Sequence, residues 1–375
     1  MVTGAPKDLC RLALAGGALL VLACGHTEPF STPPFGTSQP FDPTPPVRLT
    51  LNDGPDRDPS WLPDGSGILY QAQQLSRHDF DVCLSELPPD GGTQRRLVCD
   101  LAAGDDNLTN AYGSPVAGPD GRLAFLRIRG TIQFSDNPTT PNDEVLSVAP
   151  GLDAANAVSV QRLPYQLPGE RPHNALSQLR WLGPDSLIYL AQATAARRPC
   201  DSCAVDTMVT GLALVSVGLS PAGPPAVIPT AGFASGVAVG ASPDEIYFTL
   251  NGDSRVYRRS RASGDQTVAF DFGPAGIARD VHVAGQRMTA VVGGRVHVLP
   301  DPTFGEVQRD SGGVVHVVDL ASGDDVVLQN ELLLFRHPVL SPTGDRVVAE
   351  GYPVTSTPSG PTVSRKSDLY LFAAP

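Results

Sequence analysis

Seven histidines and six cysteines are the side chains best suited to hold a metal, relay a proton or attack a substrate, and their spacing decides among those uses. The histidines are His26, His78, His173, His282, His297, His316 and His337, and none forms an H-x-H or H-E-x-x-H pair. His282, His297 and His316 fall in apolar strand-like stretches, where a satisfied structural ring is the expectation. Cys83 and Cys99 flank a Pro-Pro-Asp-Gly-Gly turn, which puts them on adjacent antiparallel strands and within reach of a disulfide in an oxidising compartment. Cys200-Asp201-Ser202-Cys203 has the spacing of a redox pair or half a zinc knuckle. Redox chemistry needs the first cysteine at a helix N-terminus, and zinc needs a second pair. The surroundings offer neither, so a loop disulfide between Cys200 and Cys203 is expected. Asp53, Asp56 and Asp58 have a spacing that hard-oxygen calcium sites use, yet an aspartate before Pro59 is explained by turn chemistry. Val292-Gly293-Gly294 reads as a turn and not as a phosphate loop, and no G-x-S-x-G nucleophile elbow is present. No catalytic residue, metal site or cofactor is expected.

The elements that position these residues are strands. Charged residues make up 18% of the chain, while 38 Gly and 37 Pro punctuate it throughout, a composition that suits many short strands joined by turns. The formal charge of −12, with no Lys/Arg cluster beyond pairs such as Arg95-Arg96, excludes a nucleic-acid backbone as partner. Residues 58–70, Asp-Pro-Ser-Trp-Leu-Pro-Asp-Gly-Ser-Gly-Ile-Leu-Tyr, read as a β-hairpin: Pro63 presets φ, Asp64 bonds its own backbone and Gly65 accepts a positive φ.

That hairpin recurs, and recurrence sets the architecture. Residues 114–125 carry a second copy, 179–189 a third with an extra residue before the turn, 237–248 a fourth, and 337–349 a sixth close to the original. The fifth is the most degenerate: residues 281–284, a bare Gly285 turn, residues 288–292, then a long excursion before strands at 314–320 and 326–329. Six units of about four strands predict an all-β, six-bladed β-propeller of four-stranded antiparallel blades over residues 47–375. The sixth unit is one strand short. Residues 47–51 are available to supply it by pairing beside 368–372, closing the ring and removing an open sheet edge.

The N-terminus has a different logic. Lys7 and Arg11 precede an apolar run over residues 12–23, too short to span a bilayer as a mature helix, that ends Val21-Leu22-Ala23-Cys24. This resembles a bacterial lipoprotein signal, residues 1–23, with Cys24 as the lipidated residue; an ordinary secretory signal is the alternative. Gly25 in place of an inner-membrane retention aspartate makes the resemblance imply the outer membrane, with the chain exported and facing the periplasm or cell surface. Residues 24–46, rich in Pro, Thr and Ser, read as an extended tether.

Arg48-Leu49-Thr50, Asp56, Pro59, Trp61, Pro63-Asp64-Gly65 and Ile68 together resemble the repeat of the TolB-type propellers, whose unit runs Leu-Thr, a short gap, Pro-x-Trp-Ser-Pro-Asp-Gly and an apolar strand. The resemblance is strong in the first, second and sixth units, partial in the third and fourth and poor in the fifth. TolB carries a small α/β domain ahead of its propeller, and the tether stands in its place here. What the resemblance implies is the propeller alone.

In a propeller, residues just before the innermost strands crowd the mouth of the central channel. Aligned on the opening hairpin, these are Asp56, Arg57 and Asp58; Tyr112 and Ser114; His173 and Asn174; Ser235; Arg279 and Asp280; Arg336 and His337. The set reads either as a solvated rim or as a ligand or peptide site. The expected function is that of a non-catalytic, lipid-anchored envelope scaffold that binds a protein or peptide. The alternative is a propeller enzyme or binding protein acting on a sugar or other small ligand at the channel.

Overall fold

The computed structural model describes residues 46–52, 54–73, 82–99, 108–131, 143–163, 176–197, 207–219, 223–294, 296–301, 305–310, 312–330, 332–357, 360–364 and 366–375. The expected signal segment 1–23, Cys24, the tether up to residue 45, and Asp53, His173, Asn174, Cys200 and Cys203 lie outside the described residues.

Among the described residues the strands form six antiparallel blades, as the repeat predicts. Blade 1 is Asp56–Trp61, Ile68–Gln73, Val82–Leu87 and Arg95–Val98; blade 2 is Leu108–Ala117, Leu123–Thr131, Asp143–Ala149 and Val158–Leu163. Blade 3 is Leu176–Trp181, Ser186–Arg197, Thr207–Gly218 and Ala226–Ile228; blade 4 is Ala234–Val239, Glu245–Leu250, Arg255–Ser260 and Gln266–Asp271. Blade 5 is Ala278–Ala284, Arg287–Val292, Val314–Asp319 and Asp325–Leu328, and its excursion holds a separate hairpin, Val296–Asp301 with Gly305–Asp310. Blade 6 is Leu333–Leu340, Arg346–Thr357, Asp368–Ala373 and, from the far end of the chain, Val47–Arg48. The first strand of each blade touches the first strand of the next, and that of blade 6 touches that of blade 1, so the first strands line the axis.

The local chemistry follows the hairpin grammar. Gly65 sits at φ +74°, a backbone conformation that costs a side-chain-bearing residue, and donates to the Leu62 carbonyl at 2.9 Å. Asp64 accepts from the Ser66 amide at 3.0 Å and from its hydroxyl at 2.7 Å, which fixes the turn. The tryptophan four positions upstream of that glycine does a second job. Trp61 Nε1 donates to the Val339 carbonyl of blade 6 at 3.1 Å, and Trp181 Nε1 donates to the Val116 carbonyl of blade 2 at 3.0 Å. Each indole therefore ties its blade to the inner strand of the blade before it.

Alternate strand residues face neighbouring blades, so the apolar core is divided into layers. Six buried clusters lie among the described residues, one between each pair of adjacent blades; Leu49, Trp61, Tyr70, Val348 and Leu371, for example, fill the layer between blades 1 and 6. No helix among the described residues is long and apolar enough to cross a membrane.

The closing strand is shorter than expected. Only Val47 and Arg48 pair, with Leu371 and Tyr370; Leu49 then donates to the Leu369 carbonyl at 2.7 Å, and Thr50 Oγ1 accepts from the Leu369 amide at 2.9 Å. Leu51 is exposed, because the chain has by then turned toward blade 1. The Cys83–Cys99 disulfide forms as predicted, between adjacent strands of blade 1.

Asp56 is fully buried beside this closure. One of its oxygens accepts from Asn52 Nδ2 at 2.8 Å; the other has no hydrogen-bond partner, as is true of buried Tyr70 Oη and Asp368 Oδ1. Burial pushes the carboxyl up to about 7, and the hydrogen bonds recover only part of that shift. A carboxyl raised in the folded state holds its proton where the unfolded one, at 3.8, has lost it, so this group drains stability as pH rises from about 4 to 7. Asp56→Asn is expected to be more stable than wild type at pH 8, by up to about 4 kcal/mol, and no different near pH 4. Denaturant midpoints across pH check this.

Candidate functional site in the central channel

Five of the six inner strands carry the same irregularity. Between Arg57 and Ser60, Gly113 and Val116, Ser177 and Arg180, Arg279 and His282, and Arg336 and Val339, two residues of the inner strand oppose one of its partner. The first residue of each bulge is left-handed without being glycine: Asp58, Ser114, Gln178, Asp280 and His337 have φ between 45° and 52°. A side-chain-bearing residue in that region costs on the order of 1 kcal/mol, and a bulge re-aims the side chain it carries. Blade 4 has a one-residue bulge at Ser235, followed by Gly236, where a Cβ would meet the backbone amides of Asp280 and Val281 at 2.8 Å. Glycine there lets the bulge of blade 5 approach.

The re-aimed side chains meet. Ser114 donates to Asp58 Oδ2 from its hydroxyl at 3.2 Å and its amide at 3.3 Å, joining blades 2 and 1. His337 Nδ1 lies 3.3 Å from Asp58 Oδ1, and its Nε2 lies 3.6 Å from Asp280 Oδ1, joining blade 6 to both neighbours. Gln178 Nε2 donates to Asp280 Oδ1 at 2.6 Å while its Oε1 accepts from the Val237 amide at 2.9 Å, so blade 3 reaches across to blade 5 and sideways to blade 4. The network has a hub on the second strand of blade 6. Glu350 Oε1 receives His337 Nδ1 at 2.6 Å and the Asp58 amide at 2.7 Å, and Oε2 receives the Tyr352 hydroxyl at 2.6 Å.

The charges in this cluster are mutually fixed. Burial works against a charged His337, but the carboxylates of Asp280 and Glu350 overcome it and hold the imidazolium up to about 9. Burial likewise opposes an ionised Glu350, and the His337 charge and hydrogen bond hold that carboxyl down to about 2. Asp58, His337 and Glu350 also present oxygen and nitrogen atoms within 4.8 Å of one another, a metal-like grouping. Its closest pair, His337 Nδ1 and Glu350 Oε1 at 2.6 Å, is joined by a hydrogen bond whose proton an ion binding there would displace.

The expected mouth residues divide accordingly. Asp58, Ser114, Asp280 and His337 are brought together. Asp56 is turned into the closure, and Tyr112 is packed in the layer between blades 1 and 2, 6.0 Å from the Phe125 ring. Arg57 is exposed, and Arg279 Nη2 donates to the Gly293 carbonyl at 2.6 Å. Arg336 lies near enough to lower the Glu350 pKa and to oppose the His337 charge. Gln178 and Glu350 were not foreseen. Gln178 stands three residues before Trp181, as Asp58 stands three before Trp61, and that offset was the available signal. Glu350 is a lone carboxylate closing the apolar run Val347-Val348-Ala349.

Below the cluster, toward the turns between first and second strands, the channel opens into a cavity of about 370 Å³ lined by residues of all six blades, among them Ser60, Ala117, Arg180, Val239, His282 and Leu340.

No family model and no curated protein matches the chain. Solved structures do. The likeness is to propellers. TolB from Acinetobacter baumannii is 14% identical, with a TM-score of 0.46, 86% of this chain covered and 64% of that one. This chain thus spans about two thirds of TolB's length. Oligogalacturonate lyase in complex with manganese is 13% identical, with a TM-score of 0.47, 88% of this chain covered and 80% of that one. The α-L-arabinanase of Penicillium chrysogenum, complexed with arabinobiose, is 11% identical, with a TM-score of 0.49, 88% of this chain covered and 97% of that one. These likenesses concern the fold.

Proposed function

We propose that this chain is an exported envelope propeller, held to the membrane through Cys24, that binds a protein or peptide and performs no chemistry of its own. The observation that carries the reading is the state of the channel cluster. General acid–base work at neutral pH needs a group poised near neutrality and within reach of a substrate proton. Here His337 stays cationic and Glu350 anionic well past neutrality on either side, and each is in direct contact with its partner. No space is left between acid and base for a reacting atom. Asp56, whose carboxyl does move to about 7, is fully buried at the closure. The cluster acts instead as an ionic plug, built from side chains of five blades and reaching the sixth through the Val237 amide, which leaves the rim and the turn-side cavity as the surfaces for recognition.

Purified propeller should retain a specific protein from envelope extract, and Arg57→Glu, which reverses an exposed rim charge and leaves the core intact, should weaken that capture about tenfold without lowering the melting temperature. No protein retained above blank matrix, or equal capture by both forms, would contradict the reading.

A further inference from the structure

The outermost strand of a propeller blade is an open sheet edge, a row of N–H and C=O groups able to pair with another chain. Among the described residues, five of the six blades blunt that edge. In blades 1, 2 and 4 the outer strand carries a bulge, with Leu97, Val160 and Ala269 as the extra residues, which breaks the regular row of outward groups. In blade 3 the three-residue strand Ala226–Ile228 lies between Pro225 and Pro229. In blade 6 the strand Val47–Arg48 is two residues long, follows Pro46 and presents a charge.

Blade 5 has none of these devices over its described residues. Asp325–Leu328 pairs with residues 315–318 in unbroken register, and residues 325–330 contain no proline, lysine or arginine. The strand's one charge is turned onto the blade, where the Asp325 carboxylate meets His316 Nδ1 at 2.8 and 3.0 Å. The Asp319 amide donates to the Asp324 carbonyl at 2.9 Å, and this sets the alternation of the ladder. Val326 and Leu328 bond inward to Val317 and Val315, so Asp325 and Val327 turn their N–H and C=O groups away from the blade. No further strand among the described residues pairs there. The side chains around this row are apolar and open to solvent, with Val326 36%, Val327 45% and Leu332 69% exposed. Val327 also lines a cavity of about 550 Å³ together with Val314, His316, Gln329, Asn330 and Leu333, and no Asp, Glu, Lys or Arg contributes to its walls.

We propose that the outer edge of blade 5 takes up an extended segment of a partner polypeptide as a fifth strand, with its backbone on Asp325 and Val327 and an apolar side chain in the adjoining cavity. Strand addition draws affinity from main-chain hydrogen bonds and selectivity from pockets for alternate side chains, and this edge offers both. The uncharged cavity walls select an uncharged occupant. A second copy of this chain fits less well. Four residues of edge bury far less than the roughly 1,200 Å² expected between folded chains, and each copy carries a formal charge of −12. The edge lies on the perimeter, away from the channel and its rim, so it is a surface additional to those named above.

The test is titration of the full chain with the uncharged peptide acetyl-Ser-Val-Thr-Val-Thr-Val-Ser-amide, and with the same peptide N-methylated at its five central residues, read by amide hydrogen exchange along residues 325–328. The unmethylated peptide is expected to slow exchange of the Asp325 and Val327 amides saturably, by about tenfold or more, and to leave Val326 and Leu328, already bonded inward, little changed. The methylated peptide, which has lost its donors, should slow neither. Val327→Pro removes an outward donor and no ladder bond, so it should abolish the protection at Asp325 while the melting temperature moves by less than about 2 °C. If that variant fails to fold, Val327→Lys, which adds an edge charge and keeps the backbone donor, takes its place and should weaken the response about tenfold. No protection by the unmethylated peptide, equal protection by the methylated one, or protection unchanged in the Val327 variants would overturn the proposal. A concentration-dependent dimer of wild type that Val327→Pro dissolves would also overturn it, by giving the edge to a second copy. Failure here leaves protein capture at the rim standing, because Arg57→Glu tests that surface alone.

Discussion

Glu350→Ala should destabilise the propeller by about 3–5 kcal/mol, the cost of stranding one member of a buried ion pair. The expected loss is large because Glu350 has three partners. Its removal leaves the His337 cation facing only Asp58 and Asp280 at 3.3 and 3.6 Å, orphans the Asp58 amide inside a left-handed bulge, and frees the Tyr352 hydroxyl. His337→Ala should cost a similar amount by leaving Glu350 buried and unpaired. The two losses overlap, so the double variant His337→Leu with Glu350→Leu should cost clearly less than the sum of the singles. The pH dependence has a definite sign. His337, raised from 6.5 to about 9, contributes fully below 6.5 and loses its contribution as pH climbs through 9. Glu350, lowered from 4.5 to about 2, contributes above 4.5 and loses it as pH falls through 2. The pair is therefore strongest between pH 4.5 and 6.5, and the variants should differ most from wild type there. Urea denaturation of the three variants across pH measures all of this.

Removing residues 47–51 should destabilise the whole propeller and not merely trim an end. These residues supply the outer strand of blade 6, and they do so from the opposite end of the chain. Leu49 is buried in the layer between blades 1 and 6, Arg48 pairs with the buried Asp368 at 2.8 Å, and Thr50 takes the Leu369 amide. Losing Leu49 alone is worth about 2–5 kcal/mol, and the deletion also exposes a strand edge. At about 2 °C or more per kcal/mol for a domain this size, the melting temperature should fall by roughly 5–15 °C. Unfolding should also lose cooperativity, because the layer between blades 1 and 6 loses Leu49 and is held only by contacts such as Trp61 with Val339 and Asp58 with Glu350. An unchanged, single transition would show that the ring closes without this strand.

What could be read from the sequence, and what could not, divides along a physical line. Turn chemistry is local, so Pro63-Asp64-Gly65 and its copies located the hairpins, and counting them located the blades. Closure by residues 47–51 followed from a missing strand. The disulfide of Cys83 with Cys99 followed from two strands flanking one turn. The channel site depends on something the turn grammar does not encode: a bulge that rotates one residue per inner strand toward the axis. Asp58, Ser114, Asp280 and His337 fell inside the expected set because those units keep their register. In blade 3 the bulge begins at Gln178, four residues past Asn174, while the expected His173 and Asn174 lie outside the described residues. Glu350, Arg180 and His282 lie on alternate positions of apolar strands, where sequence favours a structural reading, and only assembled blades show that their side chains face the same axis.

If the acids and bases of the channel are spent on one another, the ionisation of His337 must show it. An NMR titration of the His337 ring protons in the intact chain should give a pKa close to 9, with the ring cationic throughout the neutral range and the value falling in Glu350→Gln. A ring that titrates near 6.5 or below would contradict this: it would place a free base in the channel and reopen catalysis there.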